Sequence, residues 1–219
     1  MCFTQPMSLL FAVLGLSASA YLYKKYTYAS ISIGYFALME LLQYFQFFYI
    51  DKCNNYYNKL LTIIGYIHIC FQPIFVNLWF FQFVKKPNYS FIYLSLAAAL
   101  LLLSRLIVTN DKHLCDNTNE PLCGKKTCTF SGKKHLAWNI RLRAPGQYWF
   151  TPSIGLHFFM WVIPVLTLFE IKPLIALLLT LPYFAIFITN NIHEQPAIWC
   201  FFSIIQLIIT FIIIKFFMK

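Results

Sequence analysis

Long apolar runs dominate this 219-residue chain and limit its possible folds more than any other feature. A helix needs about 20 mostly apolar residues to cross the hydrocarbon core of a bilayer. The runs of about that length are Ser8–Tyr23, Tyr28–Ile50, Leu60–Val84, Phe91–Val108, Ser153–Phe169, Ile171–Thr189 and Pro196–Met218. They predict an all-α, polytopic membrane protein: one domain over residues 1–219, built as a bundle of seven transmembrane helices.

The composition agrees with a membrane protein. Hydrophobic residues make up 60% of the chain and charged residues 11%, whereas soluble domains have about 45–50% and about 25%. The formal net charge is +10, which by itself would suit a nucleic-acid partner. The basic residues lie almost entirely in loops between the apolar runs, so we expect the lipid bilayer as partner and no nucleic acid.

The distribution of lysines predicts the orientation. Short basic loops stay on the cytoplasmic side. The lysines of one set of loops and of the tail are Lys24, Lys25, Lys85, Lys86, Lys172, Lys215 and Lys219. We therefore expect an extracytoplasmic N-terminus, a cytoplasmic C-terminus and an extracytoplasmic, cysteine-containing loop over residues 110–151.

Cysteines give independent support for this orientation. Most of them fall on the predicted outer side: Cys2, Cys53, Cys115, Cys123 and Cys128. Disulfides persist outside the cytosol, so the last four are disulfide candidates, with Cys53 a possible partner for the long loop. A zinc site of three loop cysteines with His113 or His135 is the alternative, although the cysteine spacing matches no standard zinc motif. Cys70 and Cys200 are expected to be small packing residues.

Ionisable residues in or beside apolar runs are the candidate functional residues. Each costs roughly 2.5–3.5 kcal/mol on insertion scales, so it usually serves a buried polar site. At 1.5 Å per residue, Glu40 would lie about 15 Å and His68 about 12 Å below the outer surface, close enough to face each other. We consider these two as a catalytic pair. His68, His157 and His193 could bind zinc with one open position for water.

Other polar residues extend this region into an outward-open pocket. The candidate ligand-binding residues are Gln43, Gln72, Asn77, Arg105, Asn190 and Glu194. The structural alternative is that Glu40 with His68, and Gln43 with Gln72, form hydrogen bonds between helices. Trp138 and Trp149, with Tyr148, are typical of an aromatic belt at the membrane surface.

Several short motifs resemble one family of unknown function. They are Met1–Thr4, Leu38–Gln43, His68–Asn77, His135–Trp138 and Glu194–Cys200. The family comprises small multi-span membrane proteins of bacteria, protists and large DNA viruses, and usually has Ser where this chain has Thr4. The resemblance covers essentially the whole chain and implies a polar site at the shared residues. It implies no activity.

The sequence leaves three classes of function open, and it does not decide whether the protein is an enzyme. The first is a protein that binds a metal, a lipid or another small ligand. The second is a metal-dependent lipid hydrolase, similar in architecture to alkaline ceramidases and adiponectin-type receptors. Those families place two histidines on one helix as H-x-x-x-H, and this chain does not. The third is an ion or proton carrier, or a structural membrane protein.

Overall fold

Helices and one β-hairpin form the part of the chain that the structure describes. The computed structural model describes residues 4–108, 110–115, 120–146, 151–168 and 183–217. The helices are α1 (Gln5–Leu22), α2 (Thr27–Phe47), α3 (Tyr56–Phe81), α4 (Ser90–Ser104), α5 (Gly155–Leu168), α6 (Tyr183–Ile188) and α7 (Gln195–Phe217). A 3₁₀ turn (Asp111–His113) and the strands β1 (Cys128–Ser131) and β2 (Leu136–Asn139) lie between α4 and α5.

Three of the described helices are long and apolar enough to cross a membrane. They are α1 with 18 residues, α3 with 26 residues and α7, of which the 22 residues Gln195–Phe216 form the candidate span. Helix α2 has 21 residues, but its polar residues lower its mean hydropathy below that of the three. Helix α4 has 15 residues, and α5 has 14 up to the end of the described residues at Leu168. The described residues thus support three spans and not the seven predicted. Most of the predicted span Ile171–Thr189 lies outside the described residues.

Local sequence explains where α3 begins, and the helix continues past an internal proline. The Asn55 side chain accepts hydrogen bonds from the Tyr57 and Asn58 amides, 2.8 and 3.4 Å away, and so caps the helix. Pro73 lies inside the helix. Its ring nitrogen cannot donate to the Ile69 carbonyl one turn earlier, yet the helix runs on to Phe81.

The helices pack mainly against their neighbours in sequence. Helix α1 packs on α2, α2 on α3 and α3 on α4, while α7 returns to pack on α2. At the first contact a Cβ on Gly15 would lie 2.7 Å from Ala37 Cβ. Only glycine allows the two backbones to approach so closely. Buried aromatic residues of α2, α3 and α5, including Phe36, Trp79 and Trp161, fill the interior.

The loop after α4 folds into a disulfide-bonded unit, which we call the cap and define as residues 110–115 and 120–146. Its strands pair antiparallel, with Cys128 opposite Asn139, so the prediction of an all-α fold was wrong here. Disulfides join Cys53 to Cys128 and Cys115 to Cys123. The four cysteines selected from the sequence are thus paired, which excludes the cysteine-based zinc alternative. Cys2 lies outside the described residues.

Candidate functional site

Two glutamines of α2 connect the cap to the helices. His135 Nε2 donates to Gln43 Oε1 at 2.6 Å, and the Gln43 amide nitrogen lies 3.5 Å from the Ala197 carbonyl of α7. One turn along, Gln46 accepts from the Trp138 indole at 3.0 Å. All of these polar side chains are buried, so each hydrogen bond replaces one lost to water. The predicted interfacial role of Trp138 was therefore wrong, while Tyr148 and Trp149 lie outside the described residues.

Glu194 holds the turn of the hairpin. Its buried carboxylate accepts from the Lys134 and His135 amides at 2.5 Å and from the Thr189 hydroxyl at 2.7 Å. A Cβ on Gly132 would lie 2.5 Å from Glu194 Oε1, so this close approach requires glycine. Glu194 therefore acts as an anchor between the start of α7 and the cap.

A second set of polar contacts fixes the cap to the start of α3. The Asn58 amide donates to the Tyr49 and Thr129 carbonyls at 2.8 Å and accepts from the Thr129 amide at 3.0 Å. The hydroxyls of Thr62 and Thr129 are 2.7 Å apart. Strand β1 is thus hydrogen-bonded to a helix through side chains as well as paired with β2.

Arg105, predicted as a ligand-binding residue, forms a buried ion pair. Its guanidinium donates to both Glu120 carboxylate oxygens at 2.6 and 2.9 Å and to the Arg143 carbonyl at 2.9 Å. Glu120 also accepts from the Ile154 amide at 2.8 Å. The geometry is that of a structural clamp between the end of α4, the cap and the segment before α5.

Glu40 lies inside the bundle and forms no hydrogen bond with His68. Both carboxylate oxygens are buried, and no described residue forms a hydrogen bond with either of them. Its neighbours are the Ser8 hydroxyl of α1 and the Cys200 thiol of α7. Burial of a carboxylate without a partner is costly, so Glu40 is a polar group that the fold does not explain.

His68 instead pairs with Tyr35 of α2. The Tyr35 hydroxyl donates to the His68 carbonyl at 2.7 Å, and His68 Nε2 lies 2.8 Å from the Tyr35 carbonyl. The two rings stack with centroids 3.9 Å apart. The expected Glu40–His68 hydrogen bond is absent, since neither Glu40 oxygen has a partner. The catalytic roles considered for the two residues stay predictions.

Gln72 and Asn77 bond within the helix bundle. Gln72 contacts Cys200 Sγ at 3.3 Å, so the alternative of a Gln43–Gln72 pair was wrong. The Asn77 amide nitrogen lies 2.8–3.1 Å from three acceptors, the Pro73 carbonyl, Ser95 Oγ and the Met160 carbonyl, and shares its two hydrogens among them. Asn77 therefore joins α3 to α4 and α5 through its amide nitrogen, while its Oδ1 is buried with no hydrogen-bond partner among the described residues.

His157 lines a mostly apolar cavity of about 90 Å³ between α3, α5, α6 and α7. The imidazole hydrogen-bonds the backbone of Ile69, whose carbonyl Pro73 leaves without its helical donor. The other ring nitrogen, Nε2, is buried and has no hydrogen-bond partner in the part of the chain that the structure describes. Gln195 also lines the cavity, but its amide already donates to the Thr189 carbonyl at 3.1 Å.

The structure does not bring the three candidate zinc ligands together. Among the described residues, the one group of three potential ligand atoms within 4.8 Å is that of Cys115, Glu120 and Cys123, and the two cysteines form a disulfide. Partial burial lowers the pKa of His193, so its imidazole is neutral at pH 7, as a metal ligand must be. No group of ligands including His193 gathers in the part of the chain described here.

Four of the five motifs that carry the family resemblance contact one another in the structure. Gln43 contacts His135 and Ala197, Glu194 contacts the His135 backbone, and Gln72 contacts Cys200. The model of a family of unknown function, DUF5765, matches residues 6–219. The chain belongs to the DUF5765 family. No curated protein and no solved structure matches it.

In this DUF5765 protein the sequence identified some contact residues and missed their partners. Gln46, Asn58, Glu120 and Thr129 were not selected, although all are buried and hydrogen-bonded. Spacing within α2 could have found Gln46, because it lies three residues after Gln43 and on the same helix face. The others pair over separations of 15 to 71 residues, which no local pattern encodes. Asn190, a predicted ligand residue, is exposed beside the hairpin turn.

Proposed function

We propose that this DUF5765 protein is a polytopic membrane protein that binds a small, mostly apolar ligand in the cavity beside His157. The three long apolar helices support membrane association. We extend the proposal to seven crossings, with α2, α4, α5 and the segment ending in α6 as further spans. The disulfides of the cap support an extracytoplasmic location for it, with the N-terminus on the same side and the C-terminus in the cytoplasm.

The observation that carries the ligand proposal is the unpaired Nε2 of His157. Buried polar atoms in native proteins nearly always have a partner, so an exception needs an explanation. Several buried polar atoms of the described residues lack a partner, and Nε2 of His157 is the one among them that belongs to the cavity lining. Here the histidine lines a cavity whose other walls include Ile69, Phe158, Pro196 and Trp199. A mostly apolar cavity with one polar group that fixes orientation is the usual form of a small-molecule site.

The hydrogen bonds of His157 define the complementary group on the ligand. The ring nitrogen that bonds the Ile69 carbonyl must carry the hydrogen, because a carbonyl only accepts. In the neutral imidazole Nε2 is then an acceptor. The ligand class is therefore an apolar molecule with one hydroxyl or N–H donor. A lipid alcohol or a small aromatic alcohol fits this description.

The metal-dependent hydrolase has less support, because the three histidines do not converge. Elemental analysis of purified protein tests it. A content of about one zinc per chain that is lost in His68→Ala would support the hydrolase. Metal-free protein agrees with the ligand-binding proposal.

The ligand site can be tested with phenol and its isostere toluene, which lacks the donor. We label the protein with ¹⁵N-histidine in deuterated detergent and assign His157 as the resonance missing from His157→Phe. Phenol should move the His157 Nε2 resonance, and toluene should not. His113→Asn, which removes a histidine outside the cavity lining, should respond like the wild type. Equal responses to phenol and toluene would contradict the proposal.

A further inference from the structure

The Glu40 carboxylate differs from the other buried carboxylates of the described residues. Glu120 pairs with Arg105, and Glu194 accepts hydrogen bonds from two backbone amides and a hydroxyl. Glu40 is 0% exposed, yet no described residue donates a hydrogen bond to it or pairs with its charge. A carboxylate that is removed from water without a partner is costly, so a neutralising group is expected beside it.

The Ser8 hydroxyl of α1 is the nearest candidate for a shared ligand. It faces the Glu40 carboxyl, but Ser8 Oγ is itself buried and has no hydrogen-bond partner among the described residues. Two polar oxygens that face each other without a direct hydrogen bond can be bridged by a third group. The pair therefore has the form of two ligands and not of a structural hydrogen bond.

Gln72 of α3 offers a further oxygen on the other side of Cys200. Gln72 Nε2 contacts Cys200 Sγ at 3.3 Å, and Cys200 is also a neighbour of Glu40. A purely structural arrangement would turn this amide nitrogen, which is a donor, toward the carboxylate. Instead the nitrogen is used on sulfur, and Gln72 Oε1 is buried with no partner in the part of the chain that the structure describes.

The balance of charge selects among the groups that could bridge these oxygens. One carboxylate and two neutral oxygens carry a single negative charge. A water molecule would bring hydrogen atoms but no positive charge, and a divalent ion would leave a net positive charge buried, which is again costly. A monovalent cation makes the site neutral, and an all-oxygen set of ligands suits a hard ion such as sodium.

We propose that Glu40 and Ser8 form a sodium-binding site inside the helix bundle, with Gln72 Oε1 as a further ligand. Ionisable residues within membrane helices often mark ion sites. Ser8 is the fourth residue of α1, so under the proposed orientation the site lies toward the outer face of the bundle. It shares no residue with the cavity beside His157 and does not depend on the ligand proposal.

Binding of radioactive sodium to the detergent-purified protein, measured by scintillation proximity, tests the site. Glu40→Gln removes the charge and keeps the shape of the side chain, and Ser8→Ala removes one oxygen. The matched control, Ser32→Ala, removes a buried hydroxyl from α2 about 12 Å along the helix from Glu40 at 1.5 Å per residue. The Ser32 hydroxyl hydrogen-bonds the Tyr28 and Phe75 carbonyls and not Glu40.

We expect the wild type to bind sodium saturably, with displacement by unlabelled sodium chloride and none by choline chloride at the same ionic strength. Glu40→Gln should lose this binding. Ser8→Ala should bind about tenfold more weakly, as expected for the loss of one polar contact to a charged group. Ser32→Ala should bind like the wild type.

Thermal unfolding provides a second measurement. Because a ligand stabilises only the state that binds it, sodium chloride should raise the unfolding temperature of the wild type above that in choline chloride. The two salts should give the same unfolding temperature for Glu40→Gln.

Three results would overturn the proposal. No saturable sodium binding to the wild type would leave Glu40 as a neutral acid in the bundle. Undiminished binding to Glu40→Gln would place the ion elsewhere in the protein. Equal losses in Ser8→Ala and Ser32→Ala would mean that binding depends on the general packing of the helices and not on the Ser8 oxygen.

Discussion

The Arg105–Glu120 ion pair connects three segments of the chain. The pair is almost completely buried, with 0% and 8% of the two side chains exposed. Arg105 follows the last residue of α4, and Glu120 also accepts from the Ile154 amide. The charges therefore join three segments that also contribute apolar residues, among them Leu102, Leu122 and Ile154, to one hydrophobic cluster. Such a pair fixes geometry more than it adds stability, because its formation requires the desolvation of two ions.

This argument predicts an order among substitutions. Glu120→Gln leaves the Arg105 charge buried without its counterion and should cost about 3–5 kcal/mol of unfolding free energy. Replacing both partners, with Arg105→Met and Glu120→Leu, should cost less than that single change. Denaturant unfolding in detergent measures both. If the double variant is the less stable one, the pair contributes net stability and our account of it fails.

The sequence predicted the position of Arg105 but not its role. The fourth apolar run placed it near the end of a helix, and it lies directly after α4. Its partner is 15 residues away across a loop, and no periodicity reports such a contact. The same limit explains why Glu40 and His68, similar in predicted depth, do not meet. Depth follows from position in the chain, but the direction of a side chain depends on helix rotation and packing.

At the scale of elements, helices were predictable and the hairpin was not. The predicted runs Tyr28–Ile50 and Pro196–Met218 correspond to α2 and α7 with ends displaced by at most a few residues, because long apolar runs determine helices directly. Each strand has only four residues. Segments this short show no reliable alternation of polar and apolar residues. Their conformation depends on disulfides and on buried contacts to α2, α3 and Glu194.

The two disulfides should contribute unequally to the stability of the cap. Cys53–Cys128 closes a loop with a separation of 75 residues, and Cys115–Cys123 one of 8. Loop-closure entropy gives about 4.5 kcal/mol for the first and about 2.5 kcal/mol for the second. Paired Cys→Ser replacements of each disulfide, compared by denaturant unfolding, should show this order. A larger loss for Cys115 and Cys123 would mean that strain or residual structure outweighs loop closure.

At the scale of the whole molecule, the testable property is sidedness. Under the proposed orientation the cap faces outward and the loop between α3 and α4 faces the cytoplasm. We replace Cys2 by Ser and introduce either Lys126→Cys or Lys85→Cys, both exposed positions. The remaining free cysteines, Cys70 and Cys200, are buried.

A membrane-impermeant maleimide should label Lys126→Cys in intact cells and Lys85→Cys only after permeabilisation. Labelling of both positions in intact cells would mean that positions 85 and 126 lie on the same, outer side of the membrane. The reverse pattern would invert the orientation and place the disulfides in the cytosol. Blotting of the purified protein for the attached tag gives the result directly.

Because synthesis runs from the N-terminus, the hairpin turn is made well before Glu194, the residue that anchors it. Glu194 follows His135 by 59 residues, so at about 5–20 residues per second the ribosome needs roughly 3–12 s to supply it. During that interval the Lys134 and His135 amides lack the Glu194 carboxylate as their hydrogen-bond acceptor. A nascent chain that stops before α7 therefore presents a hairpin turn without its carboxylate acceptor.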